Sequence, residues 1–412
     1  MQTHFSKAQL ATRDGERANA ILRSCVHCGF CNAVCPTYQV LGDELDGPRG
    51  RIYLIKGLLE QADGGATGKA PSVAQTHLDR CLTCRACETA CPSGVAYGEL
   101  LEIGRAAVER RVKRRPLDRL MRFWLGLVAP SVRWFPRWAA LGRWFRWALP
   151  KSVAAVVPQR AEASKAPLSA PKAFQGQVLL LRGCVQRQAT PVTQAAAIRC
   201  FNDRGLQVVL AEGEGCCGGL NLHLGQTRQA FDAMRRNLDA LEPHLDGARW
   251  IVSAASGCGV TVKDYGRLLA DDAKYAALAA RVASMSRDLA EAVAASPPAE
   301  LGLQSGVPGR RVAWHAPCTL QHGQRVTGIV ERLLAEAGHE LVPVEDAHLC
   351  CGSAGTYSVL QPELAERLRQ DKLANLMAAD PDVIATANVG CQMHLASAAC
   401  RPVVHWIELL GS

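Results

Sequence analysis

Cys25-Val-His-Cys28-Gly-Phe-Cys31-Asn-Ala-Val-Cys35-Pro36 and Cys81-Leu-Thr-Cys84-Arg-Ala-Cys87-Glu-Thr-Ala-Cys91-Pro92 are two copies of one pattern, C-x2-C-x2-C-x3-C-P. Three thiols spaced by two residues converge from a single tight loop, while the fourth is carried off by the following turn and proline. Zinc pairs two CxxC units into one four-ligand site and has no use for a third step or the Cys-Pro ending. A disulfide framework needs an oxidising compartment, yet residues 1–20 are polar and charged and lack the apolar core of an export signal. Eighteen cysteines in such a chain point to metal–sulfur chemistry.

The spacing is the one that holds paired [4Fe–4S] clusters, with the fourth cysteine of each run ligating the other cluster. The expected sets are Cys25, Cys28, Cys31 and Cys91 for one cluster, and Cys81, Cys84, Cys87 and Cys35 for the second. Helices bracket both runs: one over 8–24 with Leu10, Ala18, Ile21 and Leu22 on one side, one starting near Pro48, and one opened by Pro71-Ser72-Val73. The expectation is an all-α two-cluster ferredoxin module over residues 1–109, as opposed to a βαβ ferredoxin. Arg49 and Arg51 have two readings, as donors near a cluster or a partner's carboxylates, and as solvated helix charges.

The net charge of +9 belongs to one segment. Residues 110–151 carry twelve Lys and Arg against Asp118 alone, so the rest of the chain is slightly acidic and a nucleic-acid footprint over a folded domain is excluded. Trp124, Trp134, Trp138, Trp144 and Trp147 lie in the same segment, interleaved with arginine. An amphipathic helix of this composition suits a membrane interface, a protein partner, or an arm packed on the chain's own domains. No uncharged apolar run reaches the roughly 18 residues of a spanning helix. Residues 151–177, rich in Ala, Ser and Pro, read as a linker, so 110–177 is taken as arm and linker.

From residue 178 the pattern is α/β and repeats. Cys184, Cys216, Cys217 and Cys258 recur as Cys318, Cys350, Cys351 and Cys391, at offsets of 134, 134, 134 and 133 residues. Each copy alternates strand and helix, with strands at 178–181, 207–211 and 250–254 and at 312–314, 341–345 and 382–386. Two small doubly wound domains with parallel sheets follow, over 178–305 and 306–412, with the cysteines at strand carboxyl ends, where such sheets place ligands. These eight cysteines are candidate additional metal ligands. His315, His322 and His394 lie near them, and a histidine in such a place is more often a satisfied structural residue. Cys200 and Cys400 read as packing residues. No P-loop or nucleophile triad is present, and no catalytic residue is assigned.

The Cys-Cys-Gly landmarks resemble the cysteine-rich CCG domains of heterodisulfide reductases, anaerobic glycerol-3-phosphate dehydrogenase and lactate- and glycolate-oxidising complexes. The family's final CxxC is altered: Thr261 and His394 stand where its last cysteine would be. A double-cluster module followed by two CCG domains, with the run Cys25 through Pro36-Thr-Tyr-Gln-Val-Leu-Gly to Lys56, is similar to the family of glycolate oxidase iron–sulfur subunits. The resemblance implies an oxidoreductase subunit with two [4Fe–4S] clusters, an additional iron–sulfur centre in the repeats being an open alternative, and no flavin or nicotinamide of its own. It implies FAD-containing partner subunits oxidising glycolate to glyoxylate, a quinone or other membrane acceptor, and a peripheral place on the cytoplasmic face of the inner membrane. The alternative is the corresponding subunit of a lactate-utilisation, glycerol-3-phosphate dehydrogenase or heterodisulfide-reductase-type complex with catalytic clusters in the CCG domains.

Overall fold

A computed structural model describes residues 1–61, 69–148, 153–154, 157–158, 174–297 and 309–410. Among the described residues before Gly176 the regular elements are helices. The helix expected over 8–24 is divided, because Thr12 Oγ1 accepts the Gly15 N–H at 3.1 Å and caps a new helix, Arg13–Ser24, behind a short one, Lys7–Leu10. Pro48 opens helix Pro48–Glu60 at the first position, where its missing N–H has no partner to lose. Helix Lys69–Asp79 leads into Cys81, starting two residues ahead of Pro71, and helix Tyr97–Arg111 leaves the second run. Their inner faces, with Leu22, Ile55, Leu78, Leu100 and Leu101, close one core around both runs.

The basic arm is two helices, Pro116–Val128 and Trp134–Trp144, and the single amphipathic helix of the sequence reading breaks between them. Their polarity is inverted. Arg122 is the buried residue of the first and Ala139 of the second, while Leu117, Phe123, Trp124, Trp134 and Trp138 are exposed. Arg114 and Arg122 turn inward onto Asp79, Asp118 and, for Arg114, Glu109. Asn221 and Gln226 of the first repeat donate side-chain N–H groups to Gly126 O and Arg122 O at 3.1 Å, which fixes the first helix on that repeat. The linker expected over 151–177 and the boundary expected at 305/306 fall largely outside the described residues.

The first repeat folds into strands β1 (Gly176–Leu181), β2 (Leu206–Val209), β3 (Ala248–Ser253) and β4 (Ser286–Asp288), all parallel, in the order β2-β1-β3-β4. The second repeats it with β5 (Arg311–His315), β6 (Glu340–Val342), β7 (Val383–Thr386) and β8 (Val403–His405), in the order β6-β5-β7-β8. The fourth strand of each sheet goes beyond the sequence reading, since three residues are too few to show alternation. Between β5 and β6 the chain forms a wide turn at Thr319–Gly323 and then a helix at Ile329–Glu336.

Period-two alternation decides how the repeats join. Val178 and Leu180 of β1, with Val312 and Trp314 of β5, enter one core shared by both repeats, whereas Leu179 and Leu181 face a core private to the first. The chain end completes the shared core: Trp406, fully buried, packs there with Ile407 and Leu409. Polar seams reinforce it, with His405 Nε2 2.8 Å from Ala254 O, Ser256 N donating to Ala387 O at 3.1 Å, and Thr193 Oγ1 donating to Glu408 Oε1 at 2.6 Å. Trp406→Ala is therefore expected to cost roughly 3–5 kcal/mol, and its denaturant midpoint should fall for both repeats together.

Candidate metal centres

Both cysteine runs bend through left-handed residues at matching places. His27 and Gly29 in the first run, and Thr83 and Arg85 in the second, have φ of 57°, 84°, 57° and 61°. Such turns cost a non-glycine residue about 1 kcal/mol or more, and here they fold the three thiols of each run inward. Cys25, Cys28, Cys31 and Cys91 line one cavity with about 430 Å³ of atom-free space, part of it open to solvent. Cys35, Cys81 and Cys84 line another of about 300 Å³, and Cys87 borders both. Cys91 of the second run thus stands with the thiols of the first, and Cys35 of the first run with thiols of the second. Four thiols around one cavity suit the donor chemistry of an iron–sulfur cluster.

The two cavities differ electrostatically. Arg51 is buried beside the second: its Nη1 lies 3.8 Å from Cys35 Sγ, its Nη2 donates to Thr37 Oγ1 at 3.0 Å, and its Nε donates to His77 O at 2.8 Å. Asp46, fully buried, faces Arg51 at 3.5 Å, His77 Nδ1 at 2.9 Å and Arg80 Nη1 at 2.8 Å. Burial by itself lowers the Arg51 pKa, but the Cys81 thiol, the Tyr97 phenol, Cys35 and Asp46 outweigh it and hold the guanidinium charged. Tyr97 donates its O–H to Cys81 Sγ at 3.5 Å. Burial raises the Cys87 and Cys35 thiols, Arg51 opposing the latter, and raises Cys31 in the first cavity to about 11. Arg49, by contrast, is half-exposed and pairs with Glu44 at 2.6 Å. The two arginines left open by the sequence thus part: Arg51 is buried beside the second cavity, while Arg49 lines the first, half-exposed, and pairs there with Glu44.

In the repeats each cysteine sits beyond a strand's carboxyl end. The glycine of Cys-Cys-Gly is required by shape: Gly218 and Gly352 have φ of +87° and +86°, and a Cβ there would meet Ala230 O at 2.8 Å and Ala365 O at 2.7 Å. In the first repeat Cys184, Cys216, Cys217 and Cys258 form a strip, and S–H donation from Cys216 and Cys258 lowers the Cys217 thiol while raising its donors. Asn237 closes this site by donating to Cys216 O at 2.9 Å and Tyr265 Oη at 3.3 Å.

The second repeat has the corresponding strip, Cys318, Cys350, Cys351 and Cys391, and Cys318 also meets Cys84 of the second cysteine run. Leu82, Cys318, Cys350 and Tyr357 pack as one cluster, with Tyr357 donating to Arg80 O at 3.1 Å. The loop after Cys84 reaches the first repeat as well, through Arg85 at 3.8 Å from Asp264.

His322 is satisfied, by Thr89 Oγ1 and His348 O, each at 3.1 Å. His394 Nε2 faces Ala365 O at 3.3 Å, and its Nδ1 has no partner among the described residues. His315 departs from the structural reading: it is buried, and neither ring nitrogen has a hydrogen-bond partner among the described residues. Burial, with Lys372 nearby, lowers its pKa to about 3. Cys200 is packed in the shared core as expected, whereas Cys400 is exposed. The sequence reading missed Thr37, Asp46, His77, Tyr97 and Lys372. The run Asp46-Gly-Pro-Arg-Gly-Arg51 carried a signal for one of these, Asp46, a carboxylate set just before the start of the helix that carries Arg51.

Residues 21–95 match the 4Fe–4S dicluster domain, and residues 178–263 and 312–396 match the cysteine-rich domain. The chain is 46% identical to the glycolate oxidase iron–sulfur subunit of Escherichia coli strain K12, over 100% of this chain and 98% of that protein. It is 29% identical to a probable glycolate oxidase iron–sulfur subunit of Bacillus subtilis strain 168, over 96% and 93%. Lactate utilization protein A of Bacillus velezensis is 28% identical over 53% of this chain and 91% of its own.

Removing the buried guanidinium isolates its role. Arg51→Gln leaves Asp46 less compensated and is expected to cost roughly 3–5 kcal/mol of stability, read as a lower thermal midpoint. In the cluster-loaded chain it should lower the reduction potential of one cluster and leave the other in place, read by redox titration of the cluster spectra, with Arg51→Lys intermediate in both.

Proposed function

The chain belongs to the family of glycolate oxidase iron–sulfur subunits, and from this we propose that it is the electron-transfer subunit of a flavin-dependent glycolate dehydrogenase. It takes electrons from the FAD of partner subunits, reduced as glycolate becomes glyoxylate, and passes them towards a quinone. A flavin accepts a two-electron hydride, and the clusters, when bound, supply the one-electron steps that follow. In this reading residues 1–109 are an all-α ferredoxin module, 178–305 and 306–412 are the two CCG domains, and 110–177 is arm and linker. Cys25, Cys28, Cys31 and Cys91 hold the outer cluster. Cys35, Cys81, Cys84 and Cys87 hold the inner one.

The observation that carries this reading is the closing of two separate cysteine cavities across the two runs, with Cys87 bordering both and Cys84 reaching Cys318. The chain's own residues then have definite tasks. Cys28 is exposed and places the first cavity at the surface, where a partner can approach. Arg51 and Tyr97 direct positive charge and an O–H at the sulfurs of the second cavity, which favours an electron resting there over the first. Arginine–carboxylate pairs between Arg267 and Glu102, at 3.1 Å, and Arg13 and Asp271, at 2.6 Å, hold the ferredoxin module against the first repeat.

No helix among the described residues is long and apolar enough to cross a membrane. We place the chain peripherally on the cytoplasmic face of the inner membrane, with the arm meeting anionic lipid. Trp144 and Trp147, 83% and 84% exposed, and the outward faces of Trp124, Trp134 and Trp138 supply the interfacial aromatic surface. Arg115, Arg119, Arg133 and Arg146 supply charge complementary to lipid phosphate.

Anaerobic purification is expected to give about eight irons in the two clusters, with no glycolate turnover from the chain alone and cluster reduction once the flavoprotein subunits and glycolate are added. Turnover by the isolated chain, or clusters that stay oxidised with the partners present, would overturn the relay. Separately, co-sedimentation with vesicles containing anionic lipid should fall at least tenfold when Trp144 and Trp147 are both changed to Ser. Unchanged sedimentation, or binding only to the partner subunits, would move the arm's contact from lipid to protein.

A further inference from the structure

The two repeats present the same backbone and different chemistry. His315 ends β5 paired in register with Thr386, and Leu181 ends β1 paired with Ser253, so imidazole in the second repeat replaces an apolar side chain in the first. A similar exchange occurs on the long helix behind each Cys-Cys-Gly. Five of the six buried residues of helix Thr227–Leu241 (Ala230, Ala233, Met234, Asn237, Leu241, all but Leu238) and the five of helix Pro362–Met377 (Ala365, Leu368, Arg369, Lys372, Leu376) coincide at one offset, which sets Lys372 where the first repeat has Asn237. Asn237 is hydrogen-bonded on all sides, accepting from Gly215 N at 2.9 Å as well as donating. Lys372, 2% exposed, donates to Asp346 O at 2.6 Å and forms no pair with a carboxylate among the described residues. The first site is closed by its own hydrogen bonds, and the second holds an imidazole with two bare nitrogens and a buried cation.

We propose that His315, Cys351 and Cys391 bind a single divalent metal ion of zinc's class, in the second repeat and not in the first. Their donor atoms lie within 4.8 Å of one another, and all three residues are buried. Tetrahedral zinc with sulfur and imidazole ligands separates its donors by about 3.5–3.8 Å, so small side-chain movements close the set on one ion. The ligand sulfurs of a four-iron cluster bind different irons and stand further apart. An unpartnered, neutral imidazole 1% exposed is costly in a core, and a metal–nitrogen bond removes that cost. Cys350 touches Cys351 and is the further thiol for a fourth position. A divalent ion with three thiolates and a neutral imidazole carries one net negative charge, which Lys372 offsets. Mixed thiolate and imidazole donors favour zinc over magnesium or calcium.

The metal count is blind to turnover and to the flavoprotein, so it tests this site apart from the relay. The full chain, produced with zinc in the growth medium and washed with a mild chelator, is expected to keep about one zinc beside its cluster iron. X-ray absorption at the zinc edge should show nitrogen and sulfur neighbours. His315→Leu, the residue of the first repeat, should lose the zinc and keep the iron, while His315→Cys, which restores a thiolate, should keep both. Zinc removed from the wild type by the wash, a zinc edge with sulfur alone, zinc kept by His315→Leu, or loss of iron in its place would each overturn the proposal. Should His315→Leu fail to fold, the absorption spectrum of the wild type and the zinc content of His315→Cys still decide it.

Discussion

Arg51 Nη1 stands 3.8 Å from Cys35 Sγ in the interior of the ferredoxin module, and the fold around it is built to keep that charge in place. Asp46 is buried to hold the guanidinium, His77 and Arg80 are drawn in to hold Asp46, and the Thr37 hydroxyl donates onward to Asp46 O at 2.8 Å. Sulfur that is to carry negative charge in a low-dielectric interior has to be met by donors, by positive charge or by metal. The second cavity uses the first two means together. The first cavity, partly open to solvent, needs less, and the Arg49 that lines it is half-exposed and paired with Glu44.

The same requirement is answered differently in each repeat. The first satisfies its strip internally, through S–H donation to Cys217 and the amide of Asn237. The second brings an ammonium and an imidazole to the equivalent places. A duplicated fold allows this divergence because the shared core, with Trp314 and Trp406 at its centre, constrains one face of each sheet and leaves the carboxyl ends of the strands free to change. The loop carrying Cys84 and Arg85 reaches both repeats, so the module's inner cavity lies against the two strips as part of one packed body.

Much of this was legible in the chain. Two C-x2-C-x2-C-x3-C-P runs state their own chemistry, since few other uses require three thiols in one turn and a fourth beyond a proline. Four cysteines repeating at near-constant offsets state the duplication, and apolar runs between helical stretches state parallel sheets. The fourth strands, Ser286–Asp288 and Val403–His405, carried no such sign, because an edge strand of three residues is made by pairing with its neighbour and not by its own pattern. The arm's composition was plain in sequence, but its inversion was not. Only contact with Asp79 and the first repeat turns Arg114 and Arg122 inward and leaves the tryptophans outside.

The sequence by itself determined the donor inventory, the pairing of the two runs, the two-copy architecture and the basic aromatic segment, because these are written in residue identity and spacing. Tertiary structure alone decided which charges are buried and what each donor faces. Arg49 and Arg51 are two residues apart on one helix, and His322 and His315 lie seven apart around one cysteine; in each pair the surroundings separate a half-exposed or hydrogen-bonded residue from one buried beside thiols. Desolvation and hydrogen-bond partners are properties of the packed interior, contributed by segments far away in the chain, and no local pattern reports them.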